Sequence, residues 1–171
     1  MFHLCAFGGN GGELPTGWQC YLTMFGASEI TRPTLVKQIL AQQASGDAGK
    51  QQKTHAVFLT VFGGVDVTVP TLATEFAELH AAVSSRAITL DHAERLAATA
   101  TPTFSTSRIT LFGGCDTENL PSEDDEIEGL AHLRSIGLLN ERGERQLLMA
   151  IGQKGVQRLY AVCAALRAMA G

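Results

Sequence analysis

Phe62-Gly63-Gly64-Val65-Asp66-Val67-Thr68-Val69-Pro70-Thr71 has three echoes elsewhere in the chain. Phe7-Gly8-Gly9 runs to Pro15-Thr16, Phe25-Gly26-Ala27 to Pro33-Thr34, and Phe112-Gly113-Gly114 to Pro121-Ser122. Pro follows Phe by eight residues in the copies at Phe7, Phe25 and Phe62, and by nine in the copy at Phe112. A phrase that recurs in this way concerns architecture before chemistry. Phe7, Phe25, Phe62 and Phe112, with Gly8, Gly26, Gly63 and Gly113 behind them, are expected in matching structural positions.

Upstream of each Phe the chain alternates. Ala6/Leu4, Met24/Leu22, Val61/Leu59 and Leu111/Ile109 are apolar, with Cys5, Thr23, Thr60 and Thr110 between them. That is the two-residue period of a half-buried strand. Val65, Val67 and Val69 continue it, with Asp66 and Thr68 on the other face. The glycines permit positive φ and a sharp turn. Two geometries satisfy the pattern: a two-residue turn closing a β-hairpin, or the corner of a β-solenoid with equivalent residues stacked coil on coil. The 18 residues between Phe7 and Phe25 match one coil of a small solenoid, which favours the second.

Helices are expected after the prolines. Pro ends a strand because it cannot donate to the ladder, and the Thr34, Thr71 and Ser122 hydroxyls behind it suit helix N-caps. Leu35, Val36, Ile39 and Leu40 form one apolar stripe, and Leu72, Phe76, Leu79 and Val83 another, with His80 beside it. Gln42 to Lys53 reads as a surface loop. Asp91 and Glu94 predict a capping box for a helix through Ala98. The fold class is therefore α+β, with a repetitive β domain over residues 1–121 that carries inserted helices, and a helical segment over 122–171.

In that last segment, Ser122 and the carboxylates from Glu123 to Glu126 place a cap and negative charge at a helix start, where the dipole favours it. Ile127, Leu130 and Leu133 form the face, Gly137 ends the helix, and Asn140 caps the next, running to Gly152. The final helix, Val156 to Met169, aligns Val156, Leu159, Tyr160, Cys163 and Leu166, with Arg158 and Arg167 on its other face.

Composition narrows the function classes. The chain has 171 residues, 45% of them hydrophobic and 18% charged, enough to bury a core. A net charge of −4 gives no electrostatic footing for nucleic acid. No apolar run approaches a membrane span, so membrane contact is at most peripheral, and no signal peptide is expected. Cys5, Cys20, Cys115 and Cys163 have no metal-ligand spacing and read as reduced thiols of a cytoplasmic protein.

The phrase Val61-Phe62-Gly63-Gly64-Val65-Asp66-Val67-Thr68-Val69-Pro70 resembles the C-terminal β domain of bacterial cell-wall-active-antibiotic response proteins, the envelope-stress regulators. Members of that family read hydrophobic-Phe-Gly-x-Val-x-Val/Ile-x-x-Pro. The resemblance covers about residues 2–121 and implies a bacterial, β-rich module whose relatives restrain membrane sensor kinases by protein contact. Those relatives place transmembrane helices ahead of the β domain, and this sequence has none. The family pattern holds no catalytic residue to carry over. Residues 127–151, through Leu130-Ala131-His132-Leu133 and Gly137, are similar to a short helical module that accompanies many small bacterial proteins.

Four positions past each Phe stand Gly11, Glu29, Asp66 and Asp116. If the copies stack, Glu29, Asp66 and Asp116 form a carboxylate ladder, expected to be exposed and solvated. Its chemical alternative is a small hydrolase or lyase with paired acids. Nucleophile-elbow and phosphate-loop motifs are absent, and no cofactor is implied. The expected function is a non-catalytic interaction or regulatory module, with self-assembly into a structural protein as the further alternative. The contact surface is expected at Phe2, Leu4 and Trp18, because the first strand has no earlier chain to pair with and an uncovered strand invites a protein partner or a second copy. Trp18 is placed at a bend, capping the open end of a sheet or anchoring a partner.

Overall fold

The computed structural model describes residues 2–7, 11–13, 18–25, 28–45, 54–63, 65–99, 104–112 and 120–171. The fold is α+β, and the chain divides into two units, one of strands and one of helices.

The strand unit holds β1 (Phe2–Phe7), β2 (Gly11–Glu13), β3 (Trp18–Phe25), β4 (Ser28–Thr31), β5 (Thr54–Phe62), β6 (Val65–Thr68) and β7 (Phe104–Phe112). Consecutive strands do not pair with each other. β1, β3, β5 and β7 form one sheet in that order, and β2, β4 and β6 form a second. Every described pairing is parallel, so none of them is a hairpin. The register is regular: Leu4 pairs with Leu22, Leu22 with Leu59, and Leu59 with Ile109. Phe7, Phe25, Phe62 and Phe112 are register partners in the same way. Gly63 follows the Phe row with φ +133°, a turn open to glycine, and its N–H donates to the Phe112 carbonyl at 3.1 Å. Gly8, Gly26 and Gly113 lie outside the described residues.

The strands bury the face that carries their threonines. In β3 and β5 the alternate residues Gln19, Tyr21 and Thr23, and Ala56, Phe58 and Thr60, are buried. Tyr21 and Phe58 stack with ring centroids 4.9 Å apart, and with Ile30 and Val67 of the second sheet they form the core of this unit. The aromatic pair fills that core, and small threonines continue the same face toward the strand ends. The aliphatic positions fall on the opposite face by the period of two. Trp18 is the first residue of β3, paired with His55, and not part of a bend.

The helical unit holds α1 (Leu35–Ser45), α2 (Leu72–Ser84), α3 (Leu90–Thr99), α4 (Glu123–Ser135), α5 (Glu141–Leu148) and α6 (Val156–Ala170). Leu72, Phe76 and Leu79 bury the expected face of α2, and one core joins Val36, Ile39, Leu130, Leu147, Leu159 and Val162 to them. The predicted caps form. Thr34, Thr71 and Ser122 accept from the backbone N–H groups of Lys37, Thr74 and Asp125, and Asn140 accepts from Gly143. Helix α1 continues through Gln42 to Ser45, where a loop was expected.

Several expectations change. Thr89, not Asp91, caps α3, accepting from the His92 N–H at 3.2 Å. Asp91 and Glu94 instead both pair with Arg167 of α6, Glu94 through two oxygens. In α4 the buried position is Glu126, and its neighbour Ile127 is exposed. Arg158 is buried too, on the face of α6 opposite to that expected, because Glu126 waits there to neutralise it.

A second set of caps reaches from helix to helix. Glu75 of α2 accepts from the Leu35 and Val36 N–H groups at the start of α1, at 2.7 and 3.1 Å. Glu126 of α4 accepts from the Leu72 N–H at the start of α2, at 2.8 Å. Each carboxylate thus satisfies donors that a helix start leaves unpaired and sits where the dipole favours negative charge.

Candidate interaction surface

Among the described residues, the aliphatic face of the four-stranded sheet is the exposed apolar face of the strand unit. Leu4 is 77% exposed and Leu111 is 68% exposed, with Met24 half open between their strands. Leu22, Val57, Leu59 and Val61 lie half-buried among them. Single exposed apolar residues are ordinary, but a contiguous row marks a contact site.

At the strand ends, on the threonine side by the period of two, stands a column of rings. Phe25 and Phe62 stack at 5.2 Å with planes 4° apart, and Phe62 and Phe112 at 5.1 Å and 13°. The spacing is close to the ~4.8 Å between neighbouring strands, so register alone brings the rings face to face. Exposure rises from 41% and 43% at Phe25 and Phe62 to 63% at Phe112. Phe112 is the ring at the β7 end of the column.

Of the three contact residues expected from sequence, Leu4 stands on this surface. Phe2 and Trp18 lie in β1 and β3, two register steps apart, since Phe2 pairs with Cys20. β1 and β7 are the two edges of the sheet, each with one neighbour among the described strands. Met24 and Leu111 belong to the surface as well. Sequence reasoning assigned the rings an architectural part, and the alternation itself was the signal for the rest.

The carboxylates lie on the other sheet. Glu29 pairs with Asp66 across β4 and β6, and Gly11 of β2 pairs with Glu29, so the backbone register aligns these positions. Asp116 lies outside the described residues. Among the described residues no group of three His, Cys, Asp or Glu is arranged to hold a metal ion.

In the helical unit, a groove of about 380 Å³ between α5 and α6 is lined by Met149, Tyr160, alanines and the amides of Gln146, Gln153 and Gln157. Its walls contain no carboxylate, His or Cys, and so no acid–base pair. Cys20 and Cys163 are free and buried, and burial pushes the Cys163 thiol up to about 12, away from a reactive thiolate. Among the described residues no helix is long and apolar enough to cross a membrane. Compared with protein-family models, curated proteins and solved structures, the chain matches none.

Proposed function

We propose that the chain is a non-catalytic protein-interaction or regulatory module that works by contact through its four-stranded sheet. We read its two sheets as a β-solenoid-like core made from the four Phe-Gly copies. Parallel pairing of alternate strands and the common register of Phe7, Phe25, Phe62 and Phe112 support that core. The resemblance to envelope-stress regulators, whose members act by protein contact, supports the role. Free, buried Cys20 and Cys163 suit a reducing compartment such as the cytoplasm.

One observation carries the contact role: the aliphatic face with Leu4 and Leu111 is open in a sheet whose inner strands β3 and β5 bury Thr23 and Thr60 on the other side. The test is photo-crosslinking in bacterial cells, with a photoreactive residue in place of Leu4 or Leu111. A control position is Glu128 on the exposed face of α4. Discrete protein adducts from the two sheet positions and none from Glu128 are expected. No adduct from either sheet position would remove the contact role.

A further inference from the structure

Resting on that contact reading, we propose that the partner is a second copy of this chain, added head to tail, with β1 of one copy laid in parallel on the outer edge of β7 of another. The four-stranded sheet stacks strands whose rows repeat one residue class. Leu4, Leu22, Leu59 and Ile109 are one row, Cys5, Thr23, Thr60 and Thr110 the next, and the four phenylalanines a third. To the outer edge of β7, β1 of another copy offers the same order of residue classes that each strand already offers its neighbour. Phe7 then takes the register position that continues the column beyond Phe112.

The exposures point the same way. Phe112, with a ring on one side only among the described residues, is about half as exposed again as Phe25 or Phe62, and Leu4 and Leu111 on the two edge strands are far more open than Leu22 and Leu59 between them. A strand added at β7 covers both edges of the association at once. The sequences of the two edge strands carry little of the charge and proline that keep natural edge strands apart, Arg108 being their one Arg. Phe2-His3-Leu4-Cys5-Ala6-Phe7 and Phe104-Ser105-Thr106-Ser107-Arg108-Ile109-Thr110-Leu111-Phe112 contain no Lys, Asp, Glu or Pro. Because the two surfaces differ, the contact is heterologous and leaves a free edge at each end, so it builds an open chain of copies.

Multi-angle light scattering on the wild type and two edge variants tests this. Leu4→Lys burdens the β1 edge, and Leu111→Lys burdens the β7 edge. Both positions are exposed, and matching far-UV spectra confirm folding; Phe112→Lys replaces Leu111→Lys if that variant unfolds. The wild-type mass is expected to rise with concentration past twice the 18.2 kDa chain. Each variant alone stays at one chain, and an equimolar mixture of the two forms a dimer that grows no further. A wild type that remains monomeric, a mixture that remains monomeric, or Leu111→Lys dimerising alone through paired β1 edges each overturns the proposal. A monomeric wild type whose Leu4 crosslinks to a different protein overturns the second copy alone. No self-association together with no adduct overturns the contact role as well.

Discussion

Arg158 of α6 and Glu126 of α4, each 1% exposed, meet with Nη2 2.7 Å from Oε1. The same Nη2 donates to the Pro70 carbonyl at 2.8 Å, and Glu126 also receives the Leu72 N–H. One buried ion pair therefore ties two helices to the start of α2. Nε and Nη1 of Arg158 have no hydrogen-bond partner among the described residues, so its charge rests largely on this carboxylate.

Removing one partner leaves the other charge buried and uncompensated, which costs about 3–5 kcal/mol. Glu126→Ala and Arg158→Ala should each lower stability by that order in urea unfolding. Arg158→Met combined with Glu126→Gln should recover much of the loss, because it leaves no buried charge. A double variant no more stable than the worse single one would show that packing, and not charge, dominates.

Glu75 gives the helical unit a pH dependence. Burial pushes its carboxyl up to about 7, against the lowering effect of the Leu35 and Val36 N–H groups. In the unfolded chain it titrates near the ordinary value of 4.5. Between those values the folded state holds a proton that the unfolded state has released, so stability falls as pH rises from about 4.5 through 7. The swing is on the order of 3 kcal/mol. Urea midpoints measured from pH 4.5 to 8 should fall in the wild type and fall less in Glu75→Gln. Parallel profiles would assign the titration to other groups.

The hydroxyl caps separate cleanly from burial. Thr71→Ala and Ser122→Ala each remove an acceptor for one backbone N–H at the surface, and each should cost about 1 kcal/mol. Thr71→Ser should restore most of it. Equal melting temperatures for wild type and both alanine variants would count against the caps.

Gly129 lies where α4 packs closely on α2. A Cβ there would stand 2.9 Å from the Cβ of Ala73, and neither atom can rotate away. Gly129→Ala should therefore destabilise by about 1–3 kcal/mol through overpacking, against the ~1 kcal/mol that Ala brings to a helix. At Gly143 the added Cβ would meet the Met169 side chain and Leu139 Cδ1, which are flexible ends, so Gly143→Ala should be milder. Thermal unfolding that ranks them in the opposite order would contradict the geometry.

The local signals in the sequence carried far where chemistry is local. Pro33-Thr34, Pro70-Thr71 and Pro121-Ser122 identify the caps because proline and hydroxyl act within one turn. The strand period identified two faces but not which is buried. That choice depends on the second sheet, whose Ile30 and Val67 join Tyr21 and Phe58 in one core. Arg158 was misplaced for the same reason: on its own helix it looks like a surface cation, and Glu126 lies 32 positions away. Of the exposed aliphatic face, Leu4 was legible from its place in the first strand, while Leu111 and Met24 needed the burial of Thr23 and Thr60 to turn their face outward.

The reach of Glu75 to α1 and of Glu126 to α2 has a consequence for synthesis. As the chain leaves the ribosome, α1 is complete before the carboxylate that closes its start, because Leu35 precedes Glu75 by 40 positions. The start of α2 waits in turn for Glu126, 54 positions beyond Leu72, and Glu126 waits a further 32 for Arg158. Each helix is thus finished by a later one. The helical unit cannot set in its final form until residue 158 is free.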